Sequence, residues 1–135
     1  MSTSIFAQNA ALPASVLKTL NKKYPNVKVQ KWEVKSKGDY KIKFELDGKK
    51  TIAEIDDDGT WEKTTTHLSL TDLPPAQQTT VKAQKKNSDI KEIKMITDKD
   101  GDTIYKVELT DGDNTTKLEL NKKGQITKSE TKKEK

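Results

Sequence analysis

The sequence predicts an α+β fold, a tandem repeat in which one helix precedes a four-stranded antiparallel meander, with the helices packed on one face of a sheet of up to eight strands. Three observations carry this. Tyr40 to Leu46 alternates four apolar side chains with three charged ones, the period of a half-buried strand. An offset of 65 carries Tyr40, Ile42 and Phe44 onto Tyr105, Val107 and Leu109, and Ala53, Ile55, Gly59 and Trp61 onto Leu118, Leu120, Gly124 and Ile126. Asp-Gly and Gly-Asp turn signals punctuate both copies. Two copies of one small unit, 12–72 and 73–131, follow from the repeat.

The first unit opens on Leu12-Pro13-Ala14-Ser15-Val16-Leu17, with Pro13 suited to the first helical position because its missing N–H has no intrahelical partner there. Val16, Leu17 and Leu20 form one stripe, flanked by Leu12 and Tyr24, and Lys18, Asn21, Lys22 and Lys23 take the other side. Pro25-Asn26 ends the helix. Val27 to Lys35 changes parity between Val29 and Trp32, which predicts a bulge near Gln30. Gly38-Asp39 leads into Tyr40 to Leu46, Asp47-Gly48 makes a tight hairpin into Thr51 to Ile55, and Asp57-Asp58-Gly59 turns the chain into Thr60 to Thr66.

The second unit repeats the order. Leu73-Pro74 matches Leu12-Pro13 at an offset of 61, and Val81 lies in a helix that is otherwise polar. Strands are expected at 90–97, 103–110, 115–120 and 125–131, with Thr97 to Asp102 forming a longer first hairpin loop than Ser36 to Asp39. The tail, 132–135, has nothing apolar to bury and is expected to fray.

Alternation assigns faces. Tyr40, Ile42, Phe44, Leu46, Tyr105, Val107 and Leu109 point at the helices, with Ala53, Ile55, Leu118, Leu120, Trp61 and Ile126 beside them, because a slip of one residue would bury Lys and Glu. Lys41, Lys43, Glu45, Lys106, Glu108, Lys117 and Glu119 then line the opposite, watered face.

At 135 residues, with 30% hydrophobic and 35% charged residues, the chain has a thin core that two small units must share. The net charge is +5, yet all 26 basic residues are Lys, which lacks the bidentate fork that phosphate and base recognition favour. Lysines and acids are interspersed in both halves, so no nucleic-acid role is expected. Cysteine is absent, which excludes disulfides and thiolate chemistry. No apolar run approaches the ~20 residues of a membrane helix, and no membrane insertion is expected. Residues 1–11 read as a signal-peptide remnant and disordered N-terminus, since Ser2-Thr-Ser-Ile-Phe-Ala7-Gln8 has the small residues that precede a cleavage point.

The Asp-rich turns invite a calcium reading through Asp98, Asp100 and Asp102, or through Asp56 to Gly59, but the spacing does not fit an EF-hand and Asp and Gly are common turn residues. His67 is the sole histidine and has no nucleophile beside it, so it reads as a surface residue. Trp32 and Trp61 correspond to the apolar Ile93 and Ile126 and read as core. Glu33, Glu45 and Glu54 sit beside Lys on strand faces, as exposed ion pairs do. No cofactor and no catalytic constellation emerge.

Leu12-Pro13, the helix ending at Tyr24-Pro25, Trp32, Tyr40 to Phe44, and Asp58-Gly59-Thr60-Trp61-Glu62 leading to Leu73-Pro74 resemble the PepSY-like domains of exported Bacteroidetes proteins, grouped with the β-lactamase-inhibitory-protein-like fold. The resemblance spans 12–131 and is sharper in the first unit. It implies a tandem of helix-plus-four-strand units in a periplasmic or secreted protein with no catalytic residues of its own. It further implies binding or inhibition of a peptidase or other envelope protein, as the inhibitory relative does with its sheet face. That relative's contact surface is rich in aromatics, whereas this face is Lys and Glu. The expectation is a non-enzymatic binding module that meets a protein partner through Lys41, Lys43, Glu45, Lys106 and Glu108, and is itself a monomer or weak homodimer. Cation binding through the Asp-rich loops is the alternative.

Overall fold

A computed structural model of the chain describes residues 12–35 and 38–133. The remnant expected over 1–11, and Ser36 and Lys37 of the first hairpin loop, lie outside the described residues. The fold is α+β and repeats as the offset implies: α1 (Ala14–Lys23), β1 (Val29–Val34), β2 (Asp39–Leu46), β3 (Lys49–Asp56) and β4 (Trp61–Leu68), then α2 (Pro75–Lys85), β5 (Asp89–Asp98), β6 (Thr103–Asp111), β7 (Asn114–Leu120) and β8 (Ile126–Lys133). One compact unit runs to Thr66 and takes in Asp98–Asp100; the other comprises His67–Thr97 and the chain from Gly101.

In the first unit β1 to β4 pair antiparallel in chain order. The register of β1 on β2 shifts between Val29 and Lys31, so the bulge falls at Gln30 as the parity change predicts. Val29 and Trp32 thereby share one face. A second shift, between Glu54 and Ile55 of β3, bulges β4 at Glu62 and turns Trp61 toward the helix side. Helix α1 buries Val16 and Leu20 against Ile42, Phe44, Ala53 and Ile55. Trp32, Tyr40, Leu46 and Trp61 pack at the margin of this core, which agrees with a packing role for both tryptophans. Pro13 stands one position earlier than expected, as the residue that caps the helix, with Leu17 N–H donating to its carbonyl at 3.0 Å.

The second unit has the same plan. Here β5 to β8 pair antiparallel, and both bulges recur, at Lys91 in β5 and at Thr127 in β8. Val81 of α2 is buried with Ile93, Tyr105, Val107, Leu109, Leu118 and Leu120. Pro75 occupies the first turn of α2. Burial holds the Tyr105 hydroxyl's pKa above its ordinary value.

Four expectations need correction. Each unit buries a core cluster of its own, where a shared core was expected. Thr97 and Thr103, on either side of the expected longer loop, pair with each other, so the extra residues of that hairpin extend β5 and β6 and the loop is 99–102. Ile126, placed in the core by alternation, is 39% exposed, because the bulge that lets the large Trp61 ring reach back under α1 leaves the shorter Ile126 side chain at the rim. Lys132 and Lys133, expected to fray, continue β8 opposite Thr115 and Asn114, so backbone pairing extends the strand even though its side chains are exposed. Residues 134 and 135 lie outside the described residues.

One contact between helix and hairpin turn recurs in both units. Thr19 Oγ1 donates to the Gly59 carbonyl and Thr80 Oγ1 to the Gly124 carbonyl, each at 2.6 Å. Gly59 and Gly124 adopt φ of +93° and +82°, and a Cβ there would lie 3.0 Å from Ser15 O and 2.9 Å from Ala76 O. Glycine is required for conformation and for approach. The helix faces the β3–β4 turn in one unit and the β7–β8 turn in the other, which leaves the opposite sheet face to water.

Candidate binding faces

The watered face of the first unit is built in cross-strand rows. Glu33, Lys41, Glu54 and Lys63 stand opposite one another on successive strands, alternating in sign. Lys63 Nζ lies 3.8 Å from Glu54 Oε2. The adjacent row is Lys31, Lys43, Ile52 and Thr65. Together Lys31, Glu33, Lys41, Lys43 and Ile52 line a hollow of about 180 Å³. Contact with Lys35 lowers the pKa of Lys41, and partial burial adds to the effect. Glu45 stands opposite Lys50 at the far end of β2 and does not line the hollow.

The second unit carries a larger hollow, about 310 Å³, lined by Lys106 and Glu108 of β6 together with ionisable residues of β5, β7 and β8. One row reads Glu92, Glu108, Lys117, Glu130, and the next reads Lys94, Lys106, Glu119, Lys128. Two of these juxtapositions are of like charge, Glu92 opposite Glu108 and Lys94 opposite Lys106. Nearby opposite charges soften them: on β5 itself Lys94 Nζ is 3.7 Å from Glu92 Oε2, and Lys91 Nζ, from the bulge, is 3.4 Å from Glu108 Oε2. His67, read from sequence as a surface residue, has its Nε2 3.1 Å from Glu92 Oε2 and is half-buried. Pairing it with Glu92 depends on a strand 25 residues away.

Of the residues expected to meet a partner, Lys41 and Lys43 line the first hollow and Lys106 and Glu108 the second. The Asp-rich loop does not gather its acids. Asp98 Oδ1 accepts the Asp100 N–H at 3.0 Å, a turn contact, and among the described residues no group of three His, Asp or Glu side chains is placed to hold a metal. A different acidic group was not apparent in the sequence, because its members come together only across the fold. Asp56 and Asp58 lie beside Glu62, whose carboxylate meets Lys99 Nζ at 2.9 Å while the Lys99 N–H donates to the Glu62 carbonyl at 2.9 Å. Burial, then Asp58 and Glu62, push the Asp56 carboxyl up to about 6. Hydrogen bonds from Thr60 hold Asp58 down, and the bond to Lys99 holds Glu62 down. Asp56 Oδ1 is shielded from solvent without a hydrogen-bond partner among the described residues, which is the burial that disfavours the charged carboxylate. The group turns a hairpin and ties down Lys99.

With the two-unit architecture and its watered faces established, comparison with known proteins is decisive. The family model described as "Putative beta-lactamase-inhibitor-like, PepSY-like" matches twice, over residues 3–50 and 46–128. The chain belongs to the PepSY-like family. Among solved structures, a DUF2874 family protein from Bacteroides ovatus superposes with a TM-score of 0.79 at 22% identity, covering 88% of this chain and 86% of that one. A BLIP-like protein from Bacteroides fragilis superposes with a TM-score of 0.77 at 24% identity, covering 90% and 87%. A protein of Bacteroides eggerthii described as "putative periplasmic" reaches 0.79 at 18% identity, covering 90% and 89%. No curated protein matches the chain. The PepSY-like double match falls on both halves, and the neighbours share the fold that presents the two hollowed faces. Among the described residues no helix is long and apolar enough to cross a membrane.

Proposed function

We propose that this PepSY-like chain is a non-enzymatic binding module of the cell envelope that docks another protein on its watered sheet faces. The observation that carries the reading is the hollow of about 310 Å³ on the second unit, where side chains of both signs converge from four adjacent strands around Lys106 and Glu108. Such a face offers many charge-assisted hydrogen bonds to a protein surface. Family membership supports a binding role, and the periplasmic description of the Bacteroides eggerthii neighbour supports an envelope location.

Affinity capture from an envelope extract tests the reading. Changing Lys41, Lys43, Lys106 and Glu108 together to Ala is expected to abolish capture of the bound protein while the unfolding midpoint stays within a few degrees of the parent. Undiminished capture by the folded variant removes the watered faces from consideration.

A further inference from the structure

We infer that the watered face of the second unit is self-complementary and that its partner is a second copy of this chain. The inference rests on the reading that this face is a docking surface, and it names the occupant. On each of the four strands two successive positions at the centre of the watered face carry opposite charges: Glu92 and Lys94 on β5, Lys106 and Glu108 on β6, Lys117 and Glu119 on β7, Lys128 and Glu130 on β8. Cross-strand register lines these positions up as two rows, about 6.7 Å apart along the strands.

Consider two copies face to face, related by a two-fold axis that lies between the rows and runs across the strands. Each strand then sits over its own counterpart, and the row positions exchange. Lys106 meets Glu108 of the second copy, Lys117 meets Glu119, and β5 and β8 follow the same rule. Every facing pair is of opposite sign, as an isologous interface requires. Aligned stacking of two sheets is a common geometry, and sheet twist favours the central strands β6 and β7 for the closest contacts. The pairing also supplies opposite charge to the like-charged neighbours Lys94 and Lys106, and Glu92 and Glu108, which strand pairing alone leaves unfavourable.

The charge pattern selects both the axis and the unit. A two-fold axis along the strands would set Glu92 against Glu130 and Lys94 against Lys128. The first unit, stacked on itself in the favoured way, would set Lys41 against Lys43. Its own face is not self-complementary. Although the chain carries +5, the eight residues of the two rows sum to zero, so row meets row without net repulsion, and Lys91, bonded to Glu108, adds one positive charge beside them.

Sedimentation equilibrium of the whole chain tests this. A dimer is expected at about 0.01 M salt, where charges act over ~30 Å, and its loss at about 1 M, where they act over ~3 Å. Glu108→Lys and Lys106→Glu, each alone, put like charges face to face on β6 and are expected to weaken association by about tenfold or more. Mixing the two variants restores opposite signs strand on strand and is expected to recover a heterodimer. Mixing Glu108→Lys with Lys117→Glu is not, because β6 faces β6 and β7 faces β7. A wild-type chain that stays monomeric at low salt overturns the inference, as does equal rescue by both mixtures, which would mark unspecific attraction. Circular dichroism of each variant controls for folding. If the chain is monomeric but the alanine variant still loses a captured envelope protein, only the identity of the occupant fails and the binding role stands.

Discussion

In the first unit Thr19 Oγ1 donates to the Gly59 carbonyl, and in the second Thr80 Oγ1 donates to the Gly124 carbonyl at the same 2.6 Å. The two bulges recur as closely, at Gln30 and Lys91 and again at Glu62 and Thr127. The interiors and faces behind this shared frame are not alike. In the first unit the Thr64 hydroxyl accepts from Tyr24 Oη at 2.6 Å and from Trp61 Nε1 at 2.8 Å. The offset of 65 puts Ser129 and Ile126 where Thr64 and Trp61 stand, and both are exposed. The second unit instead buries Gln77 where the first has Val16, and Gln77 Nε2 donates to the carbonyls of Asn121 at 2.9 Å and Lys122 at 2.7 Å. The helix-to-turn clamp is what the fold needs twice. Core details and charge rows are free to differ, which is how one architecture presents one self-complementary face and one that is not.

The clamp is the place to break both units at once. Gly59→Ala and Gly124→Ala are each expected to destabilise by about 1–3 kcal/mol from left-handed backbone alone. The approach of the new Cβ to a helix carbonyl adds to this. Gly48→Ala, at φ +77° with nothing within 4 Å, isolates the backbone contribution. Chemical denaturation of the three variants measures the difference, and equal losses at all three positions would remove the clamp from the account. A smaller change separates the units. Thr64→Val leaves Tyr24 and Trp61 without their shared acceptor and is expected to lower stability by about 1–3 kcal/mol. Ser129→Val, at the equivalent exposed position, is expected to stay within about ±0.5 kcal/mol. Comparable effects at the two sites would deny the asymmetry.

Most of the frame is legible in the sequence because it rests on local period and turn chemistry. Tyr40 to Leu46 alternates cleanly, Asp47-Gly48 fixes its hairpin, and the parity change after Val29 discloses the first bulge. The bulges at Glu62 and Thr127 leave no such mark, since Thr, Lys and Glu surround them and both parities look polar; the exposure of Ile126 was hidden with them. Buried Gln77 reads as one more polar helix residue until the carbonyls of Asn121 and Lys122 arrive from 44 and 45 residues away. The residues of the watered faces were legible as a class from alternation. Their arrangement in rows was not, because it depends on bulge-shifted register between strands.

The acidic turn of the first unit gives the smallest and most local contrast. Asp56 has Asn121 as its counterpart, whose Oδ1 accepts the N–H groups of Lys123 at 2.9 Å and Gln125 at 3.0 Å. One unit therefore closes its last hairpin with a neutral amide and the other with a carboxyl raised from 3.8 to about 6. Between these values the folded chain holds more protons than the unfolded chain, so the Asp56 contribution makes stability fall as pH rises through that window. Asp58 and Glu62 act in the opposite sense: their lowered values add stability above the ordinary carboxylate range, and it is lost as pH falls. Asp56→Asn copies the second unit's solution and removes the first effect, while the largest causes of the second, the Thr60 bonds to Asp58 and the Lys99 bond to Glu62, stay in place. The variant is expected to gain on the parent in thermal midpoint as pH rises from about 4 to 6 and to hold that gain above it, with the Glu62 bond to Lys99 intact. Parallel midpoint curves for the two proteins would mean that Asp56 titrates as an ordinary surface carboxylate and that both hairpins close in the same way.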